Sequence, residues 1–528
     1  MTTDVCVYGG TSGGVIAAVQ AARCGKRAVI VEPGRHLGGM SAGGLSWTDV
    51  GNADRVWVVG GMAKEFYQRV GQRYGQNPKT VFDPPPPGDD PTRTGYDFAK
   101  PPSLSFEPKV AESVFNEMAA EAKVPVHFGA RLASVKKDGG RITELAAEGG
   151  LVVRAAIFID ATYEGDLMAA AGVTFTAGRE ANATYGETHN GVQEQARSER
   201  AGKFDVAVDP YIVAGDPASG LLPYLVQSGA IGKIGEADAL IQSYNYRVCL
   251  THDAANRIPL APPADYDAKR YELLARWIAA RQAAGKKLTL RDFLKYDPLQ
   301  NRKYDFNNRW AISTDFIGGA HDYPAADAAG RERIAKAHED YLRGFFHFLA
   351  TDPRVPQAVR DEMARFGLCR DEFTDGGGWP HQLYVREARR MVSDFVMTEH
   401  HVTGQRVAPD PIGFGAYGID MHAVRRIAHD GQAVNEGTRG PAVPGPYVIG
   451  YGAIVPKAAE CENLLVPFAL SASHVAFGSI RMEPTFMILS QSAATAACMA
   501  IDEKVTAQRV SYERLAKKLE ADGQVLRK

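Results

Sequence analysis

His474, Arg481 and Glu483 lie close together in SASHVAFGSIRMEP, beside a glycine-containing turn. An imidazole there can take a hydroxyl proton, or it can bond backbone and shape the turn. Arg481 can stabilise negative charge, or pair with Glu483 and cap a neighbouring strand. A second set lies in WPHQLYVREARRMVSDFVMTEHH, where His381 follows Pro380 at a predicted helix start. Helical spacing there would put Arg386 and Arg390 on one face, with Leu383, Ala388, Met391, Val392 and Phe395 as apolar contacts. His381 and Arg386 would then line a substrate, or the arginines would form a solvated face. His400 and His401 are adjacent, which a regular helix cannot aim at one metal. Asp420 with His422 is only a DxH pair, so no metal set is predicted.

Such side chains need a scaffold, and the N-terminus supplies a candidate in VYGGTSGGVIAAVQAA, residues 7–22. An apolar strand at Val5 to Tyr8 leads into an Ala-rich helical stretch from Val15 to Arg23 that stops at Gly25. A second buried strand at Ala28 to Val31 is closed by Glu32, 18 residues after Gly14. This is a βαβ unit with an acid near the separation expected for gripping a ribose hydroxyl. The dinucleotide fingerprint wants glycine where this chain has Gly9, Thr11 and Gly14. Gly10 and Gly13 keep the backbone bare, the hydroxyl of Thr11 or Ser12 could bond a phosphate oxygen, and the helix start offers N–H donors. The bland alternative is a tight turn without a ligand. Gly413, Gly415 and Gly418 satisfy the fingerprint literally, with Glu436 at the same remove, yet VAPDPI before them cannot be a central strand.

After Glu32 and Pro33 comes GRHLGGMSAGGLS, with doublets Gly38-Gly39 and Gly43-Gly44 around Met40. A nicotinamide domain has no use for this segment, whereas a flavin lying extended needs bare backbone beside it. Here the chain resembles glutathione-reductase-type flavoproteins, above all relatives of fumarate reductase and succinate dehydrogenase flavoprotein subunits. FIDATYEGDLMAAAG, residues 158–172, is similar to their second FAD motif. That likeness implies that Ala161 and Thr162 turn beneath the cofactor and that Asp166 reaches its ribityl or phosphate region. Residues 470–497 resemble the C-terminal flavin-contacting turn and helix, implying contacts from Gly478, Ser479, Arg481 and Met482. FEPKVAE, GGWPHQLYVREARRM, YGAIVPKAAECENLLVP and SIRMEPTFMILSQ extend the resemblance over most of the chain, to a bacterial family of FAD-dependent oxidoreductases sometimes labelled xanthan-lyase-like. No residue supports a lyase. His36, beside the first doublet, is a candidate for covalent flavin attachment or for simple bonding to it.

The implied fold is α/β, a Rossmann-like FAD-binding domain of glutathione-reductase type with an inserted α+β substrate domain. Its expected limits are 1–205 and 441–528 for the FAD-binding domain and 206–440 for the inserted one, with a proline-rich surface excursion at 76–105. EPKVAESVFNEMAAEA and RERIAKAHEDYLRGFFHFLA read as helices, VPVHF, LVVRAAIFIDAT and NLLVPFALSAS as strands, and PTFMILSQSAATAACMAI as a closing helix.

A net charge of −2 over 528 residues gives no bulk attraction to nucleic acid or anionic membrane. Six cysteines without a CxxC pair argue against zinc knuckles and disulfide frameworks. The direct entry into a strand, with no secretory signal or apolar run long enough to span a bilayer, predicts a cytoplasmic protein. The leading expectation is hydride transfer to FAD from a small polar CH–OH or CH–NH substrate of the sugar or polyol kind, with His474 as base. Reduction of an activated C=C bond, with Arg386 or Arg481 as proton donor, stands as an alternative, and a non-catalytic or RNA-acting flavoprotein as another. Without a second nucleotide fold, the electron acceptor is expected to be oxygen, a quinone or a carrier protein.

Overall fold

The computed structural model describes residues 1–50, 53–77, 104–196, 202–437 and 440–528, so most of the expected excursion at 76–105 lies outside the described residues. Strand β1 (Thr2–Tyr8) sits inside a parallel sheet, between β2 (Ala28–Val31) and β6 (Val152–Asp160). In register, Tyr8 pairs with Val31 on one side and with Asp160 on the other, so three strand ends finish at one level. Residues 5–8 and 28–31 are apolar and buried, as a strand covered on both faces requires. The edge strand β3 (Val126–His127) extends the sheet beyond β2. On the far side, β5 (Arg141–Ala147) pairs antiparallel with β6, and β4 (Leu132–Asp138) pairs antiparallel with β5.

Helix α1 (Ser12–Arg23) crosses from β1 to β2, and its Ala- and Val-rich stretch is buried. It packs on the helix Glu483–Glu503, so the end of the chain returns to its beginning. That last helix is long and apolar enough to cross a membrane by length and composition, but 89% of its apolar window is buried inside the protein. The surrounding elements therefore explain its composition as core. Just before it, Leu464–Leu465 pairs parallel with Phe158 and Ile159 of β6. The longer strand expected in NLLVPFALSAS is confined to these two residues.

The middle of the chain builds a second, wholly antiparallel sheet in the order Leu294–Pro298, Lys303–Asn308, Val248–Thr251, Gly367–Cys369, Arg257–Pro259. The long helix Ala328–Thr351 forms where its periodicity predicts. Two expectations are corrected. The stretch after Pro380 forms no helix: Tyr384, Met391 and Val392 give their N–H groups to Asn245, Ala469 and Thr174 of neighbouring segments. Arg386 and Arg390 therefore share no helical face, and both are buried. The literal fingerprint at Gly413 lies on strand Pro411–Gly415, antiparallel to Tyr447–Gly450, and a loop follows it. Glu436 is spent on Arg179 and Arg425.

Candidate active site

Where β1, β2 and β6 end, a groove of about 730 Å³ opens, lined by Gly9, Gly10, Thr11, Glu32, Pro33 and Gly39 and, from the β6 side, by Thr162, Tyr163 and Asp166. The loop is shaped for close backbone approach. A side chain on Gly14 would collide with the carbonyl oxygen of Gly9, and the packing around Gly13 by Ser490 and Phe468 is equally tight. Thr11 is the N-cap of α1: its hydroxyl accepts from Gly14 N at 3.1 Å and donates to Ala161 O at 2.7 Å. The missing glycine is thus a stitch between the loop and the turn after β6. That turn is held in its own right by Asp160, which accepts from Thr162 and from Met168 N.

Glu32 accepts the N–H groups of Gly10 and Gly34 at the groove floor, and burial pushes its carboxyl up to about 7. These features fit the adenosine and diphosphate part of FAD: a bare-glycine cradle, a helix start and an acid for ribose hydroxyls. Asp166 borders the groove, but its carboxylate is held by Arg331 at 2.7 and 2.9 Å and by Arg389 at 2.7 Å.

Glu483, expected only as a partner for Arg481, instead ties the cofactor segments together. Its buried carboxylate accepts from Ser12 at 2.5 Å, Ser41 at 3.0 Å and Tyr163 at 2.7 Å, while Met40 N donates to the Tyr163 hydroxyl at 2.8 Å. The start of α1, the short helix α2 (Gly39–Ala42), the turn after β6 and the helix Glu483–Glu503 therefore meet at one residue. Ser12 and Thr11 thus spend their hydroxyls within the protein, leaving the backbone N–H groups as the loop's donors to phosphate.

A second, polar cavity of about 140 Å³ lies beyond the glycine doublets. Gly44, at φ +114°, abuts the backbone of Arg247 in the cavity wall, and Gly43 abuts Gln382 in the groove wall. The C-terminal turn packs behind three residues that line this cavity. Gly478 O accepts from Asp420 N, Ser479 donates to Tyr417 O, and Gly478 packs on Met421. Arg481 pairs with Asp420 at 3.1 Å and the Tyr384 hydroxyl at 3.0 Å, not with Glu483. Arg386 pairs with Asp315 at 2.9 Å and, like Arg481, lies over the Tyr384 ring. The Nε atoms of Arg386 and Arg481, with Gln242 Nε2, Ser243 Oγ and Asn245 Oδ1, are buried without partners, while Gln242 Oε1 accepts from His422 N and Asn245 Nδ2 donates to Thr314. Such atoms are costly in a protein interior, and of these residues Arg386 lines the cavity itself.

The predicted histidines divide. His474 is the first residue of the helix His474–Ile480, is 0% exposed and borders neither space. Its Nδ1 faces Glu387 at 2.8 Å, and its Nε2 is buried without a partner. His381 borders the cofactor groove, not the polar cavity, and stacks on His36 with centroids 3.9 Å apart. Burial pushes His381 down to about 3, which keeps it neutral, and both its nitrogens are unpartnered. His36 holds Glu112 at 2.8 Å and Asp375 at 2.9 Å, so both nitrogens are engaged. His422 is the residue that sequence reasoning passed over, for it lines the polar cavity between two aspartates. Its one sequence signal was the Asp420-x-His422 spacing, which in extended chain turns both residues to one side. Elsewhere Glu107, Asp371 and Glu372 gather their oxygens as a metal site would, but the Lys303 ammonium stands among them.

The sequence pattern of the FAD dependent oxidoreductase family matches residues 4–519. No curated protein matches. Among solved structures, the chain is similar to the L-amino acid deaminase of Proteus vulgaris, at 16% identity over 34% of this chain and 52% of that one, with a TM-score of 0.26. The L-proline dehydrogenase of P. horikoshii gives 15% identity over 34% and 58%, TM-score 0.24. The anhydrotetracycline hydroxylase OxyS of Streptomyces rimosus gives 16% identity over 34% and 36%, TM-score 0.24. The chain thus aligns with less than two thirds of each of these proteins. With the family pattern running almost from end to end of the chain, over the groove and cavity alike, this protein belongs to the FAD-dependent oxidoreductases.

Proposed function

We propose that this enzyme oxidises a C–H bond next to a hydroxyl or amine in a small polar molecule of the sugar or polyol kind. The observation that carries the reading is the polar cavity whose lining residues Tyr417, Asp420 and Met421 touch the Gly478–Met482 turn. At about 140 Å³ it is smaller than the ~300 Å³ at which ordinary ligand pockets begin, which suits a small substrate. Trp47 and Trp310 offer flat faces, and Asp49, Asn307 and Asn308 offer planar acceptors and donors of the kind that bind neighbouring hydroxyls.

In this reading Gly9, Gly10, Gly13, Gly14, Glu32, Pro33, Gly38, Gly39, Met40, Ala161 and Thr162 hold FAD along the groove. Gly43, Gly44, Gly478, Ser479 and Met482 lie toward its ring. Bound FAD supplies the hydride acceptor. Arg386 and Arg481, both over the Tyr384 ring, hold negative charge that develops on substrate oxygen. Oxygen, a quinone or a carrier protein takes the electrons afterwards. A cytoplasmic location goes with this reading, supported by six cysteines that all remain thiols.

Anaerobic mixing of FAD-loaded protein with sugars, polyols, hydroxy acids and amines tests it. A donor bleaches the oxidised flavin. Bleaching by none of them, together with return of colour to reduced flavin on adding an activated alkene, would replace oxidation by C=C reduction.

A further inference from the structure

We infer that His422 is the base of this reaction, with Asp315 as its positioning residue. The assignment rests on the oxidation proposed above. Among the described residues lining the polar cavity, His422 is the one imidazole, and its side chain is 10% exposed. Its Nδ1 lies 2.7 Å from Asp315 Oδ2, and the other oxygen of Asp315 takes Arg386 at 2.9 Å. Burial raises the Asp315 carboxyl, but Arg386 and His422 outweigh it and keep the group ionised. A carboxylate so pinned fixes the ring with its Nδ1–H toward Asp315 and directs Nε2 to the opposite side. There the nearest group is Asp420 Oδ2 at a loose 3.3 Å, itself drawn to Arg481 at 3.1 Å. The row Arg386, Asp315, His422, Asp420, Arg481 thus sets the ring, in the wall of the substrate space, between two acids that stabilise an imidazolium.

The step balances simply. The substrate O–H bond breaks and its proton forms an N–H bond at Nε2. The O–H electron pair becomes the second bond of C=O, and the C–H hydrogen leaves with its pair as hydride to FAD. For an amine the same bookkeeping gives an imine. His474 offers no comparable approach: it is wholly enclosed, and its Nδ1 is committed to Glu387, which in turn holds Arg390.

The test compares the parent with His422→Asn and His422→Gln, which retain one or the other hydrogen-bonding end of the ring. His429→Asn, at an exposed hairpin position, is the control. Each FAD-loaded protein is mixed anaerobically with D-glucose, D-sorbitol, myo-inositol, glycerol and L-lactate across a pH series. FAD content and melting temperature establish that each variant is folded. The expected result is bleaching of the parent by at least one compound, with the limiting rate about 100-fold or more lower in both His422 variants and the compound's apparent affinity changed little. The parent's rate rises with pH through one ionisation, and that rise disappears in the variants. Asp315 and Asp420 face the ring, Arg386 and Arg481 stand behind them, and Asp49, Lys295 and Arg247 complete the charged wall, so these groups shift the profile without replacing it. Parent-like rates or an unchanged pH profile in folded His422 variants overturn the base assignment alone. A parent that none of the compounds bleaches overturns the oxidation reading, and the assignment falls with it.

Discussion

The groove and the polar cavity, whose walls meet through Gly43 and Gly44, are built in opposite ways. At the strand ends the groove is made of short stretches within residues 8–11, 32–39 and 162–166, where bare glycine backbone is the requirement, and side chains such as Tyr323, Arg331, His381 and Arg389 complete its rim. The cavity is made of side chains from Asp49, Arg247, Asp315, Tyr384 and His422, brought together across more than 370 residues of chain. A site made by backbone leaves its spacing in the sequence. A site made by converging side chains leaves only residue types, which many other arrangements share.

If this division is correct, groove substitutions abolish cofactor binding and stability together, and cavity substitutions leave both intact. The largest effect is expected for Gly14→Ala, whose added methyl has no room against Gly9. It costs about 3 kcal/mol or more and yields colourless protein with a depressed melting temperature. Glu483→Ala comes next, because Ser12, Ser41 and Tyr163 then lose a buried acceptor. A loss of about 3 kcal/mol is expected, against about 1 kcal/mol for Glu483→Gln, which keeps the shape, and denaturant titration separates the two.

Glu32 gives a smaller, pH-dependent effect. Its carboxyl is protonated below about pH 7 in the protein without FAD, whereas gripping ribose hydroxyls favours the ionised form. FAD affinity should therefore weaken as pH falls below 7, by up to about tenfold per unit, and Glu32→Gln should be weaker at pH 8 but nearly flat with pH. Trp310→Ala tests the other side of the wall: FAD content and melting temperature stay near the parent's, and the apparent affinity for a bleaching compound drops about tenfold. A Trp310 variant that lost its FAD would collapse the distinction between the two regions.

The same division explains what was readable. The βαβ unit, Glu32, the closing helix and the false fingerprint at Gly413 followed from apolar runs, prolines and glycine spacing. The site's side chains were harder. Arg386 and Arg390 have helical spacing, yet the segment runs extended because its backbone bonds to strands far away in sequence, and Asp315, Glu180 and Glu387 neutralise the buried charges. Arg481 and Glu483 are near neighbours in the sequence, but the helix start between them sends one toward Asp420 and the other toward Ser12. Thr11, an apparent defect, proved to be a helix cap that only the partner Ala161 could reveal.

The most direct test of the two-site account is anaerobic reduction of FAD-loaded parent and Trp310→Ala by the same sugar and polyol series. The account predicts that at least one compound bleaches the parent and that Trp310→Ala, equally yellow at the start, needs about tenfold more of that compound. Unchanged colour in the parent throughout, or equal bleaching of both proteins at every concentration, would contradict it.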